Sequence, residues 1–285
     1  MEQMLNEAWQ VRQENFPNII QLDFPAKTRS ISVTGSECML KCAHCNGHFL
    51  QAMDPISTWQ ESLGKEIKSC LISGGCDKEG RVPISHYLPY IKGIKDSRRQ
   101  INLHVGLQDE QEIEQFSQLA DVVSFDFVGD NETIREVYGL NKRVEDYILT
   151  YLRLQRRVTV IPHICIGLRG GQISGEYKAL EILKEVGVKG LVFIVFSPTD
   201  GTLYAERKPA PLQEVIQILC KARIDFPDIP INLGCMRPKG RYRFELDQLA
   251  VRSGVNKIVQ PTPGVMAMAE EMGLEVIRGE ECCVL

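Results

Sequence analysis

The chain has 285 residues, 44% hydrophobic and 25% charged, with a formal net charge of −4. That size suits one large domain, such as a barrel of about 250 residues, and the charge offers no global attraction for nucleic acid. No window approaches the roughly 20 apolar residues of a membrane span, and the polar, amphipathic opening MEQMLNEAWQVRQENF lacks the apolar run of a signal peptide, so a cytoplasmic protein without membrane or nucleic-acid partners is expected.

In chain order, an amphipathic first helix carries Met4, Leu5, Trp9 and Val11 and is expected to cap the domain. β-branched runs then predict strands at Ser30–Thr34, Ser69–Ser73, Ile101–Val105, Val122–Val128, Val158–Ile166, Leu191–Phe196, Ile231–Leu233 and Ile258–Val259. Helical spacing falls between them, as at Glu176–Val186, Leu212–Ile224 and Tyr242–Ser253. Near-continuous apolar strands alternating with helices predict an α/β fold whose parallel sheet is covered on its outer face. Eight such units fit a full (β/α)8 TIM-type barrel, preferred here over an open (β/α)6 partial barrel. The expected organisation is a helical extension over 1–28, a barrel over 29–278 and a tail over 279–285. In such a barrel the chemistry belongs to the loops after the strands, and the unusual residues do follow the strands.

Ten cysteines in a chain of this kind point to metal or cluster ligation rather than disulfides. Directly after the first predicted strand stands GSECMLKCAHCNG, with Cys38, Cys42 and Cys45. Three thiolates on one loop can hold three irons of a [4Fe–4S] cube and leave the fourth open to a small chelating ligand. Gly35 and Gly47 let the backbone wrap closely around the sulfurs. A zinc site is the alternative, because Cys42 and Cys45 have zinc-like spacing and His44 or His48 could complete it.

Cys38-x3-Cys42-x2-Cys45 after a first strand resembles the signature loop of the radical S-adenosylmethionine (SAM) superfamily, with His44 at its usual aromatic position. The resemblance implies a cluster that binds SAM at its open iron and cleaves it to a 5′-deoxyadenosyl radical. It implies that Ser73, Gly74 and Gly75 form the loop whose backbone meets the methionine amino group. Cys76 stands where many members carry Glu. Ser124 and Asp126 share a strand face by alternation. The resemblance assigns them to the ribose hydroxyls, while a salt bridge to a neighbouring strand is the plainer reading. Within Gly171–Glu176, Ile173 corresponds to an adenine contact and Glu176 to the acid that braces the loop. Pro198 opens a segment, SPTDGT, similar to the Pro-x-x-Gly-Thr turn of biotin-synthase-like members.

Of the other cysteines, Cys70 and Cys220 read as small core residues. Cys76 and Cys235 follow strands, and Cys282 and Cys283 lie on the tail. A tail folded over the barrel mouth would bring these four together as ligands of a second, auxiliary cluster, with Cys165, on the same strand face as His163, as substitute. LGCMRP sits where biotin synthase carries an arginine ligand, which implies a weak-ligand role for Arg237. Cys282–Leu285 also satisfies a prenylation box, but acidic Glu280 and Glu281 precede it where a basic stretch would be wanted.

The whole chain resembles biotin synthase homologues and, among them, the two-protein archaeal-type lipoyl synthase. That likeness implies insertion of sulfur from the auxiliary cluster into an unactivated C–H bond, as one of two insertions into an octanoyl chain. It also implies a second radical SAM protein, an octanoylated lipoyl-domain protein or peptide, and a low-potential electron donor as partners. Other readings are a radical SAM rearrangement or C–C bond-forming enzyme with structural extra cysteines, a non-catalytic iron–sulfur carrier, and a zinc-stabilised binding module.

Overall fold

The computed structural model describes residues 1–285 and contains eleven strands. These are β1 (Ile19–Asp23), β2 (Thr28–Ser32), β3 (Asp54–Pro55), β4 (Ser69–Ser73), β5 (Gln100–His104), β6 (Val122–Asp126), β7 (Val160–Ile166), β8 (Leu191–Val195), β9 (Ile231–Leu233), β10 (Lys257–Val259) and β11 (Glu275–Gly279). They form one sheet in the order β11-β1-β10-β9-β8-β7-β6-β5-β4-β2-β3, with every neighbouring pair parallel. Between β4 and β10 spatial order follows chain order, because each strand hands over to a helix on the outer face before the next strand begins.

The eight predicted strands are all present, with ends shifted by a residue or two. Strands β1, β3 and β11 are additional, and β1 changes the expected boundary. Residues 1–28 are not only a helical extension, since Ile19–Asp23 pairs with both β10 and β11 inside the sheet. The full eight-unit barrel also needs a correction. No strand pair closes the sheet, whose ends are β11 and β3. At the seam, the Lys27 N–H bonds to the Glu280 carbonyl at 2.9 Å and the Cys282 N–H to Thr28 Oγ1 at 3.0 Å.

Strand alternation separates two environments. Ile31, Cys70, Ile72, Ile101, Leu103, Val123 and Phe125 are inaccessible to solvent and belong to the apolar core, together with Cys220. Helix Glu176–Val186 contributes Ala179, Leu180, Ile182 and Leu183 to that core, and each large aliphatic chain so buried is worth about 1.5–3 kcal/mol. The alternate strand positions carry Asn102, His104, Ser124, Asp126, His163 and Cys165 instead. Helix Glu2–Asn15 packs on the outer helices Leu212–Asp225 and Arg241–Arg252, where it buries Leu5, Ala8 and Arg12. No helix is long and apolar enough to cross a membrane.

Candidate active site

The Cys38–Cys45 loop leaves β2 at the sheet's C-terminal end and is tied down by backbone bonds to three other segments. Met39 N–H bonds to the Cys76 carbonyl (2.8 Å), Ala43 N–H to Val137 (2.7 Å), and Tyr204 N–H to Ala43 (2.9 Å). Thr34 Oγ1 accepts from the Gly75 N–H at 2.7 Å and donates to the Glu37 carbonyl at 2.8 Å. Within the loop, Cys45 and Asn46 N–H both bond to the Cys42 carbonyl at 3.1 Å. The reversal ends in left-handed backbone at Asn46 (φ 46°) and Gly47 (φ 76°). Gly75 is required for a different reason. A Cβ there would lie 2.6 Å from Cys38 Cα and closer still to the Glu37 carbonyl. The two loops therefore touch backbone to backbone.

The three thiols are partly buried. Burial pushes the Cys42 thiol up to about 12, with Cys45 and Cys38 adding to the effect, and burial raises Cys45 as well. Thiols crowded in this way hold their protons until a cation offsets the charge, as iron does. Nowhere do three His, Cys, Asp or Glu side chains converge on one metal-ion position. His44 is half-buried, with its Nδ1 enclosed and unpartnered and its ring edge-on to Tyr138 at 5.8 Å, and desolvation pulls its pKa down to about 4. A cavity of about 380 Å³ opens beside the loop, lined by Thr34, Cys38, Met39, Gly75, Cys76 and Tyr87.

The other expected SAM contacts divide. Gly75 lies against Glu37 and Cys38 of the thiol loop, and Gly74 against Val33, Thr34 and Val82. Ser73 Oγ donates to the His104 carbonyl at 2.9 Å and so ties β4 to β5. Glu176 braces its loop by accepting from the N–H groups of Gly167 and Ser174, both at 2.7 Å. Ile173 is half-buried in that loop against the core, and Pro198 is exposed. Ser124 does not face an open site, because it is buried and donates to Asn102 Oδ1 at 3.0 Å. Asp126 pairs with His104 of the neighbouring strand, Oδ2 to Nε2 at 3.2 Å. Burial opposes that charge, yet the His104 imidazole outweighs it and holds Asp126 at about 2. Asp126 keeps nearly half its side-chain surface accessible.

The auxiliary ligands are placed differently from expectation. The tail does not cross the barrel mouth. It enters the lumen at the opposite end, where the strands begin. Cys282 N–H bonds to Thr28 Oγ1 and Asn102 Nδ2 to Cys282 Sγ (3.5 Å). Asn232 Nδ2 bonds to the Cys283 carbonyl (3.0 Å) and Lys257 Nζ to the Leu285 carbonyl (2.8 Å). Lys257 also pairs with buried Asp23 at 3.0 Å. The tail thus forms a floor, above a cavity of about 270 Å³ lined by Gln21, Ile161, Pro230, Asn232, Lys257 and Cys283.

Cys283 Sγ lies 3.5 Å from His163 Nε2. The Cys283 contact lowers the Cys282 thiol against burial, helped by Val284 N–H, Asn102 and Lys257, while Cys283 is raised. Cys235 follows β9 at the C-terminal end of the sheet, away from the tail, and burial raises its thiol. Cys76 belongs elsewhere. It is raised by burial and by Cys38 and Cys42, beside the first thiol site. Cys165 lines a small cavity with Asp130 and Glu176.

Arg237 is also corrected. It is fully buried and bonds to both Asp247 oxygens (2.7 and 3.0 Å) and to the carbonyls of Gly234 (2.6 Å), Val259 (2.9 Å) and Gln260 (3.2 Å). A guanidinium has five N–H donors, so none remains for a cluster. His104, Asn102 and Lys257 were not anticipated. The signal was available in INLHV, where Asn102 and His104 are polar residues two apart inside an apolar strand.

By sequence, neither a family model nor a curated protein matches the chain. Solved structures do match. Methylornithine synthase (PylB) superposes with a TM-score of 0.68 at 17% identity, over 97% of this chain and 89% of that one. The FeFe-hydrogenase maturase HydG from Carboxydothermus hydrogenoformans gives 0.70 at 15% identity, over 96% and 71%. SuiB from Streptococcus suis, bound to S-adenosylmethionine, gives 0.54 at 13% identity, over 88% and 60%. At these identities the likeness establishes the shared fold.

Proposed function

We propose that this chain is a radical SAM enzyme. The observation that carries the reading is the trio Cys38, Cys42 and Cys45 on one loop at the sheet's C-terminal end, clamped through Gly75 to the glycine loop after β4. When bound, the cluster and SAM would supply one-electron cleavage to a 5′-deoxyadenosyl radical that takes hydrogen from an unactivated C–H bond. The chain's own residues position and enclose that chemistry. Gly74–Gly75 present backbone at the cluster loop, Asp126 offers an ionised carboxylate to the lumen, and Glu176 fixes the loop after β7. His44 and Tyr138 exclude water behind the thiols.

The fuller reading adds a second cluster as sulfur source, with sulfur insertion into an octanoyl chain carried by a partner protein. A second radical SAM protein and a low-potential electron donor would take part. Its support is the Cys282–Cys283 pair, held among the strands by Asn102, Asn232 and His163. The polar lumen favours a second reading, rearrangement or C–C bond formation on a small polar substrate, because His104, Asp126 and His163 suit polar groups better than an alkyl chain.

The test has two arms. Anaerobically reconstituted protein given SAM and dithionite should release 5′-deoxyadenosine, and its absence would sink the radical SAM assignment. A variant with Cys38, Cys42 and Cys45 all replaced by alanine is then examined for iron, sulfide and EPR. A surviving [4Fe–4S] signal supports sulfur insertion, whereas loss of all cluster favours the second reading.

A further inference from the structure

Cys282 and Cys283 are neighbours in sequence, yet their side chains are engaged from two different strands. Asn102 on β5 donates from Nδ2 to Cys282 Sγ at 3.5 Å, and Ser124 orients that amide by donating to its Oδ1 at 3.0 Å. A donor aimed at sulfur favours the thiolate, because the bond strengthens with the charge. Cys283 meets His163 on β7, whose Nε2 lies 3.5 Å from its Sγ. His163 Nδ1 lies 3.1 Å from the Ile161 carbonyl, which can only accept, so Nδ1 carries the proton. Nε2 is thereby left to accept from the Cys283 thiol.

The pair is therefore asymmetric. One sulfur is set up to attack, and the other to follow with an oriented base at hand. The backbone that carries them is held still. Cys282 N–H bonds to Thr28 Oγ1 (3.0 Å), Asn232 Nδ2 to the Cys283 carbonyl (3.0 Å), and Leu285 N–H closes a turn onto the Cys282 carbonyl (3.1 Å). Neither thiol is sealed in, since both keep partial exposure and Cys283 lines the floor cavity of about 270 Å³. A small uncharged oxidant can reach them there. Adjacent residues hold their Cα atoms about 3.8 Å apart, short of the roughly 4.4–6.8 Å that a relaxed disulfide spans. A bond between these two sulfurs is strained and easily reduced, which suits reversible chemistry rather than a structural staple.

We infer that Cys282 and Cys283 form a peroxide-reactive dithiol that closes to a vicinal disulfide, with His163 as its base. The Cys282 thiolate attacks the peroxide, an S–O bond forms as the O–O bond breaks, and the departing hydroxide takes a proton from solvent. Cys283 then passes its proton to His163 Nε2 while its sulfur attacks that of Cys282. The S–O bond breaks, and the hydroxide leaves as water with the proton returned from His163. Two thiols are oxidised by two electrons to one disulfide, and the peroxide is reduced to two waters. The reaction needs neither SAM nor iron, so it stands independently of the radical SAM and second-cluster readings.

The experiment treats the full chain, reduced and iron-free, with an equimolar amount of hydrogen peroxide under anaerobic conditions. The protein is then alkylated in denaturant and mapped by mass spectrometry. The peptide carrying Cys282 and Cys283 should escape alkylation and be lighter by two hydrogens, and dithiothreitol should restore both thiols. In Cys283→Ser with dimedone present, the adduct should form on Cys282, whose sulfenic acid then has no partner to resolve it. His163→Phe should slow ring closure by about a hundredfold or more while the Cys282 adduct still forms. A pair that stays fully alkylated while other cysteines oxidise overturns the proposal, as does a disulfide from either residue to a distant cysteine. Dimedone found only on other cysteines overturns Cys282 as the attacking sulfur, and an unchanged closure rate overturns His163 as the base. The mapping is read on the unaltered chain, so misfolding of a variant does not affect the central decision.

Discussion

Two thiol sites occupy opposite ends of one lumen and are built on opposite principles. At the mouth, Cys38, Cys42 and Cys45 lie within eight consecutive residues, and backbone hydrogen bonds and a glycine contact hold them. At the floor, Cys282 and Cys283 arrive on the tail from the far end of the chain, and side chains hold it: Thr28, Asn102, Asn232 and Lys257. The first site survives as long as one loop keeps its path. The second exists only when β11 has added to β1 and carried the tail past the seam. Local geometry thus makes the mouth site robust, while the floor site is contingent on the finished sheet.

The largest expected effect separates a structural from a ligand role for Arg237. Arg237→Ala leaves Asp247 buried and uncompensated, which should lower unfolding free energy by about 3–5 kcal/mol. Urea denaturation of the apo-protein measures this directly. A loss below about 1 kcal/mol would mean that the guanidinium is not the structural clamp described here.

The mouth site is sharpened by Gly75→Ala. The new methyl would meet Cys38 Cα and the Glu37 carbonyl, both backbone, so neither can swing aside. Overpacking of this kind costs about 1–3 kcal/mol, and it should displace the thiol loop. Iron bound after reconstitution should fall at the mouth while the floor site keeps its share, and equal loss at both would erase the contrast.

The smallest effect lies between the two sites, at the His104–Asp126 pair. Asp126 is held at about 2, below its ordinary 3.8, so its contribution to stability is present above 3.8 and is lost as pH falls toward 2. His104 is raised from 6.5 by Asp126 against the opposing effect of burial. Its contribution is complete below 6.5 and is lost as pH rises through the raised value. The pair therefore stabilises the fold most between about pH 4 and 6.5. In Asp126→Asn, burial is opposed only by Cys282, and the NMR titration midpoint of His104 should drop from its raised value. An unchanged midpoint would show that Asp126 does not set it.

Much of the framework was legible because strand burial is written locally. Val122–Val128 and Leu191–Phe196 are apolar runs that a parallel sheet covered by helices demands, and helix Glu176–Val186 shows its buried face in its spacing. β3 was invisible at two residues, and β11, EVIRG, exposes most of its side chains, so neither carries the apolar signature of a central strand. β1 was hidden because IIQLD comes soon after the first helix and ends in the polar Asp23, its value lying in backbone pairing with β10 and β11.

The sequence by itself determined the parallel α/β framework and the mouth thiol loop. Both depend on neighbours a few residues apart, where periodicity, glycine freedom and cysteine spacing act directly. Only the tertiary structure decided that the tail enters at the floor, that Arg237 is occupied by Asp247 and three carbonyls, and that His163 rather than Cys76 faces Cys283. Those outcomes depend on which residues are brought together across the sheet. Strand register and the pairing of β11 with β1 settle that, and no local spacing encodes them.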